Sequence, residues 1–321
     1  MTAAPQQQQI LVTGATGFVG RQVTPALSRV ASVTAAVRSP GPRIKGAQTV
    51  AVGPVDGKTD WQPALAGVEA VVHLAARAHV MKDEAQDPLS EFRRTNTEGT
   101  RHLAEQAASA GVRRFIFISS IKVNGESTAP GRPFTAHDIP APQDPYGQSK
   151  AEAEQALRAV AASTGMEVVI IRPPLIHGPG VKGNFAVMLN WLRRGIPLPL
   201  GRTDNARSLL AVDNLVDLIT TCLNHPDAAN QTFLASDGED VSTTQLLRRM
   251  AAALGKPARL LPVPPPLMKF GARMIGREPV YQRLFGSLQL DIRHTRETLG
   301  WAPPLTMDEG LRQTANALRK H

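Results

Sequence analysis

Short runs of β-branched and aliphatic residues alternate with longer stretches of helical period from the start of the chain. The runs fall at residues 10–13, 33–37, 49–52, 70–74, 115–119 and 168–171. They are nearly continuous in apolar residues, the pattern of strands covered by helices on both faces, whereas a half-exposed strand alternates. This rhythm predicts an α/β protein with a Rossmann-type doubly wound parallel sheet over residues 1–172. After Arg172 the texture changes, because Pro173-Pro174, Gly178-Pro179-Gly180 and the prolines at 197 and 199 interrupt every element. A smaller C-terminal α/β region is expected over residues 173–321. Two helix starts within it fit the capping box, Ser242 with Gln245 and Thr306 with Glu309.

The greasiest stretch, residues 260–268, is short and carries four prolines, so no membrane span is expected. The polar opening residues lack the pattern of a signal peptide, and a cytoplasmic location is the expectation. Cys222 is the single cysteine, which excludes a disulfide framework and a cysteine-based metal cage. No metal site is predicted.

The 321 residues carry a net charge of +9, which calls for an anionic partner. The basic residues come as scattered pairs such as Arg93-Arg94 and Arg193-Arg194, and aromatic stacking platforms are few at 4% of the chain. That argues against nucleic acid and for a small phosphorylated ligand.

Gly14, Gly17 and Gly20 follow the first strand and open the first helix, with Thr16, Phe18 and Val19 between them. Glycines at this place let the backbone approach a pyrophosphate, and the helix N-terminus offers free N–H groups. An NAD site would carry an acid near the end of the second strand to hold the ribose hydroxyls. Arg38 occupies that place, and no acidic residue precedes Asp56. On this reading NADP(H) is favoured, with NAD(H) also admitted.

Tyr146 and Lys150 are spaced i, i+4 at the start of an Ala/Glu-rich helix, which sets phenol and ammonium on one face. A nearby ammonium is expected to lower the phenol's pKa, so that it can trade a proton with a substrate alcohol or carbonyl. Ser119 and Ser120 lie just past the fifth strand, at the sheet edge where ligands bind in open α/β folds, and a hydroxyl there can hydrogen-bond the reacting oxygen.

Together these residues resemble the extended short-chain dehydrogenase/reductase family of sugar-nucleotide epimerases, dehydratases and reductases. The resemblance covers nearly the whole chain. It includes Gly14 to Gly20, His73-Leu74-Ala75-Ala76, Asn96-Thr97-Glu98-Gly99, the Ser120, Tyr146 and Lys150 set, Arg172 to Pro179, Arg207 to Asp213 and Asp291 to Trp301. It implies Tyr146 as general acid/base, Lys150 on the nicotinamide ribose and Ser120 on the substrate C4 oxygen. It further implies Val55, Leu74, Ala75, Ala76 and Pro173 as cofactor lining, and Asn184 and Arg207 as contacts to a UDP-sugar. A homodimer through the helices at 95–110 and 146–164 is implied as well.

Three positions depart from the family's pattern. His177 stands for the Tyr of Tyr-Gly-Pro and is read as structural, Pro54 replaces an acid, and the second-strand acid is absent. Ile121-Lys122 stands where dehydratases carry Asp-Glu, which argues against dehydration. The expectation is reduction of a UDP-4-keto-6-deoxy-N-acetylhexosamine to UDP-N-acetylquinovosamine in surface polysaccharide synthesis. The alternatives are a UDP-hexose or UDP-N-acetylglucosamine 4-epimerase and, from another class, a non-catalytic NAD(P)-binding sensor or assembly subunit.

Overall fold

The computed structural model describes residues 7–41, 43–78, 87–129, 131–274, 276 and 278–319. The strands are β1 (Gln9–Thr13), β2 (Ser32–Val37), β3 (Ala47–Ala51), β4 (Ala70–His73), β5 (Arg114–Ile118), β6 (Glu167–Arg172), β7 (Leu175–His177), β8 (Arg207–Ala211), β9 (Thr232–Leu234) and β10 (Asp240–Val241). The helices of the first half are α1 (Gly20–Leu27), α2 (Gln62–Leu65), α3 (Pro88–Phe92), α4 (Gly99–Ser109) and α5 (Pro145–Thr164). Those of the second half are α6 (Gly183–Arg193), α7 (Val212–Asn224), α8 (Thr243–Ala253), α9 (Pro265–Met274), α10 (Glu278–Phe285), α11 (Arg293–Leu299) and α12 (Met307–Arg319).

Seven parallel strands form the main sheet in the order β3-β2-β1-β4-β5-β6-β9. The six apolar runs of the sequence are its first six strands. The seventh comes from beyond Arg172, so the chain returns to this sheet after leaving it.

Alternate side chains of each strand feed opposite cores. Ile10, Val12, Ile116, Ile118, Val169 and Ile171 join the layer under α1 and α7. Leu11, Phe115, Phe117, Val168 and Ile170 join the layer under α4 and α5. Both faces are dry along β1, β4, β5 and β6, which is why these strands read as unbroken apolar runs, whereas β3 at the sheet edge has no buried residue.

A second core fills the C-terminal lobe between α6, α8 and α12. Its sheet is β10-β8-β7, with β10 antiparallel and β7 parallel to β8. Both capping boxes form: the Ser242 hydroxyl accepts from Gln245 N at 3.1 Å, and the Glu309 carboxylate accepts from Thr306 N at 2.8 Å.

The chain leaves β1 to build β2 and β3 on one side, then crosses to β4 on the other. This reversal opens a crevice at the carboxyl ends of β1 and β4, the place where doubly wound sheets bind ligands.

Candidate active site

The glycine loop closes that crevice. Gly14 has φ +68°, and a Cβ there would lie 2.7 Å from Ala75 N. A Cβ on Gly20 would meet Gly14 O at 2.2 Å. The β1–α1 turn therefore rests backbone against backbone on the Leu74–Ala75 segment. Thr16 and Gly17 remain exposed, Phe18 and Val19 are half-buried, and Thr13 Oγ1 accepts from Ala75 N at 3.2 Å. With the positive end of the α1 dipole facing it, this is a cradle into which a dinucleotide pyrophosphate fits.

Asn96 pins the other wall. It is fully buried, accepts from Arg77 N at 2.8 Å, and donates to Arg77 O at 3.1 Å and to Ser149 Oγ at 3.0 Å. One side chain thus ties the loop after β4, with Leu74, Ala75 and Ala76 half-buried, to α5. Val55 packs below, against the position of Gly99. Pro173 is buried at the end of β6, its carbonyl accepting from Ile121 N at 3.0 Å. Arg38 is exposed just beyond β2.

Helix α5 starts where it does because Asp144 caps it, accepting from Gly147 N at 2.6 Å, with Pro145 as its first residue. The other carboxylate oxygen of Asp144 binds Lys122 Nζ. Gly147 completes the approach, since a Cβ there would lie 2.7 Å from Lys122 O. The first turn of α5 is thereby pressed onto the turn after β5, which brings the Tyr146 phenol beside the Ser120 hydroxyl. Phe92 meets the Tyr146 ring edge-on at 5.9 Å.

Lys150 is buried one turn further along α5. Its Nζ donates to Ile118 O at 2.9 Å and sits 4.4 Å from the Phe117 ring centroid. Burial pushes its pKa down to about 7, while the Glu154 carboxylate resists the shift. The sequence-based expectation for the phenol is corrected here. Burial, and then the Asp144 charge, push Tyr146 up to about 12, with the Ser120 hydrogen bond opposing them. A half-buried phenol against Phe92 and near a carboxylate resists ionisation, and Lys150 is turned to a backbone carbonyl.

A buried network lies beneath. Glu154 takes two bonds from Arg172, Nε at 2.9 Å and Nη2 at 2.6 Å, and a third from Ser119 Oγ at 2.6 Å. Arg172 Nη1 also reaches Asn124 Oδ1 at 2.9 Å. These residues hold β5, β6 and α5 in one register. Asp144, Gly147 and Glu154 were not among the residues that the sequence singled out, although Asp144-Pro145 ahead of a helical stretch is a readable start signal.

The two candidate substrate contacts belong to the C-terminal lobe. Asn184 is exposed in the first turn of α6. Arg207 lies on β8, where Nη1 donates to Gly286 O at 2.8 Å and burial lowers its pKa. His177 is fully buried, stacks on Phe185 at 5.5 Å and pairs with Asp237 at 3.1 Å. Among the described residues no cluster of three or more potential metal ligands occurs, and no helix is long and apolar enough to cross a membrane.

Comparison with known proteins agrees with this geometry. Over 313 residues, 97% of this chain and 95% of the other, the sequence is 51% identical to a UDP-glucose 4-epimerase of Vibrio cholerae. A short-chain dehydrogenase/reductase superfamily protein from Agrobacterium tumefaciens, solved with bound NAD, aligns with a TM-score of 0.76 at 28% identity, covering 98% of each chain. UDP-glucuronic acid 4-epimerase from Bacillus cereus, solved with NAD, shares the fold with a TM-score of 0.78 at 20% identity, over 98% of this chain and 97% of its own. Residues 10–235, from the first strand of the sheet to just past the seventh, match one family profile, and the chain belongs to the NAD dependent epimerase/dehydratase family.

Proposed function

We propose that the protein is a UDP-sugar 4-epimerase that keeps NAD bound through its cycle. The observation that supports C4 oxidation and reduction is the placement of the Tyr146 phenol beside Ser120 at the carboxyl end of β5, with Lys150 one turn on and the glycine cradle alongside. Epimerisation is preferred to reduction of a 4-keto sugar because of the 51% identity to a UDP-glucose 4-epimerase along nearly the whole chain. The NADP(H) preference read from Arg38 has no support from the family, which is described as NAD dependent. The glycine loop, Leu74–Ala76 and Pro173 are the residues that would hold the cofactor.

When bound, NAD supplies a carrier that takes a hydride from C4 and returns it. To take the C4 hydroxyl proton in the oxidation half Tyr146 must enter as the phenolate, which a Lys150 ammonium turned from Ile118 O towards the phenol would favour, and it returns that proton after the opposite face of the sugar is presented. Ser120 donates to the same oxygen and holds it against the phenol. Lys150, one turn further along α5, would bind the nicotinamide ribose. Asn184 and Arg207 hold the nucleotide and diphosphate, for which a guanidinium is the natural partner.

Purified protein incubated with UDP-glucose, and separately with UDP-N-acetylglucosamine, should yield the C4 epimer with no net change in NAD. Stoichiometric NADPH oxidation on a 4-keto-6-deoxy UDP-sugar, with no epimer formed, favours reductase activity instead. Tyr146→Phe should abolish turnover while cofactor still binds; retained turnover removes this mechanism.

A further inference from the structure

We propose that the C-terminal lobe docks peripherally on a bilayer containing anionic phospholipids, through the outer face of α9 and the basic surface beside it. The inference is independent of which sugar the enzyme turns over.

Helix α9 has no buried residue. Leu267, Phe270 and Met274 are 62%, 66% and 71% exposed, and Leu261, just before the helix, is 52% exposed. At about 100° per residue the three helical side chains fall within an arc of roughly 60°, a continuous apolar ridge. Only Met268 and Ala272 of the helix's later turns are half-buried, on the side towards the lobe. Single exposed leucines are ordinary, but an aligned Leu, Phe and Met ridge on one short helix is the mark of an interaction surface.

Charge selects the occupant. Residues 241–276 hold six Lys/Arg and no Asp/Glu, and of the six only Arg249 is paired, with Glu239 and Asp308 outside the segment, among the ion pairs between described residues. Lys269 and Arg273 are exposed on the flank of the ridge, and Arg259 is exposed next to Leu260–Leu261. The α6 turn adds exposed Arg193 and Arg194, together with Trp191 and Ile196 at 40% and 38% exposure. The two segments meet edge to edge, since Leu198 N donates to Arg259 O at 2.9 Å and Leu261 N donates to Leu198 O at 2.8 Å.

An apolar ridge flanked by cations is the pattern of a helix that lies in the plane of an anionic lipid surface. A second copy of the chain would bring the same positive segment against this one and be repelled. Nucleic acid would leave the aliphatic ridge uncovered. A single substrate diphosphate is too small to match so many dispersed cations.

The test is flotation of the full-length protein with vesicles of phosphatidylcholine, alone or with about 30% phosphatidylglycerol. Binding is expected only to the anionic vesicles. The doubly substituted Leu267→Asp/Phe270→Asp protein should lose about tenfold in vesicle affinity, and Lys269→Glu/Arg273→Glu should lose a similar factor. Turnover of soluble UDP-sugar should be unchanged in both, which shows that the variants fold. No binding to anionic vesicles, equal binding to neutral ones, or undiminished binding by both variants overturns the proposal. So does light scattering that shows a wild-type dimer converted to monomer by Leu267→Asp/Phe270→Asp with no vesicle binding, since the ridge is then a contact between copies.

Discussion

Arg172 Nη2 lies 2.6 Å from Glu154 Oε2, and both side chains are at most 2% exposed. A second bond at 2.9 Å makes the pair bidentate, and Ser119 occupies a further lone pair of the carboxylate. Such a pair recovers its desolvation cost only while every member is present. Replacing Glu154 with Gln leaves the guanidinium buried without a counter-charge, and should cost about 3–5 kcal/mol in urea unfolding. The double replacement Glu154→Leu/Arg172→Met removes both charges and should lie closer to the wild type than either single change. A double variant as unstable as the sum of the singles refutes this account of the network.

Gly147 presents a conflict between local and tertiary preference. Within a helix, Ala is favoured over Gly by about 1 kcal/mol. Here the added methyl would lie 2.7 Å from the Lys122 carbonyl, a backbone atom that cannot swing aside. Gly147→Ala should therefore destabilise by about 1–3 kcal/mol, against its helix propensity. It should also part Tyr146 from Ser120 and lower kcat more than it raises KM for the nucleotide sugar. Thermal unfolding and steady-state kinetics on the same variant check both effects.

His73 links stability to pH. Its ring is fully buried between Thr13 Oγ1 at 2.7 Å and Thr100 Oγ1 at 3.0 Å, and it stacks on Phe117 at 5.8 Å. Burial first, then the Lys150 charge, lower its pKa to about 3 from 6.5. The unfolded chain thus takes up this proton at a pH where the folded protein does not. The contribution of His73 is complete above about pH 6.5 and is lost as pH falls towards 3, at about 1.4 kcal/mol per pH unit. His73→Gln should be less stable at neutral pH yet show a shallower decline between pH 6 and 4. Parallel curves for the two proteins, measured by urea titration at each pH, contradict the assignment.

These relationships mark the limit of what the sequence discloses. Strands β1, β4, β5 and β6 are legible because burial on both faces leaves an unbroken apolar run such as residues 168–171. Strand β9 is not, since only Thr232–Leu234 pairs, and a three-residue run has no period to read. Tyr146, Lys150 and the glycines are legible as residue types at fixed spacing. The direction of the Tyr146 shift is not, because burial, its largest cause, arises only when α5 meets the turn after β5. Glu154, on an Ala/Glu-rich helix, looks like one more solvated acid until β6 sets Arg172 beneath it.

Arg38 offers the sharpest test of cofactor choice. It stands exposed at the carboxyl end of β2, where no acidic side chain precedes it in the sequence. If the protein uses NAD, the adenosine ribose is bound there without a carboxylate, and the guanidinium has no phosphate to grip. Arg38→Ala should then leave NAD affinity within about twofold, because no charge-assisted bond is lost. For NADP, a bond between guanidinium and phosphate contributes about 1.5–3 kcal/mol, so the same change should weaken its binding by about 10- to 150-fold. Arg38→Asp supplies the missing acceptor for the ribose hydroxyls and should tighten NAD while repelling NADP. Fluorescence titration of the three proteins with both nucleotides separates the cases. A tenfold loss of NAD affinity in Arg38→Ala would mean that this arginine stacks on the adenine or grips the pyrophosphate of NAD itself.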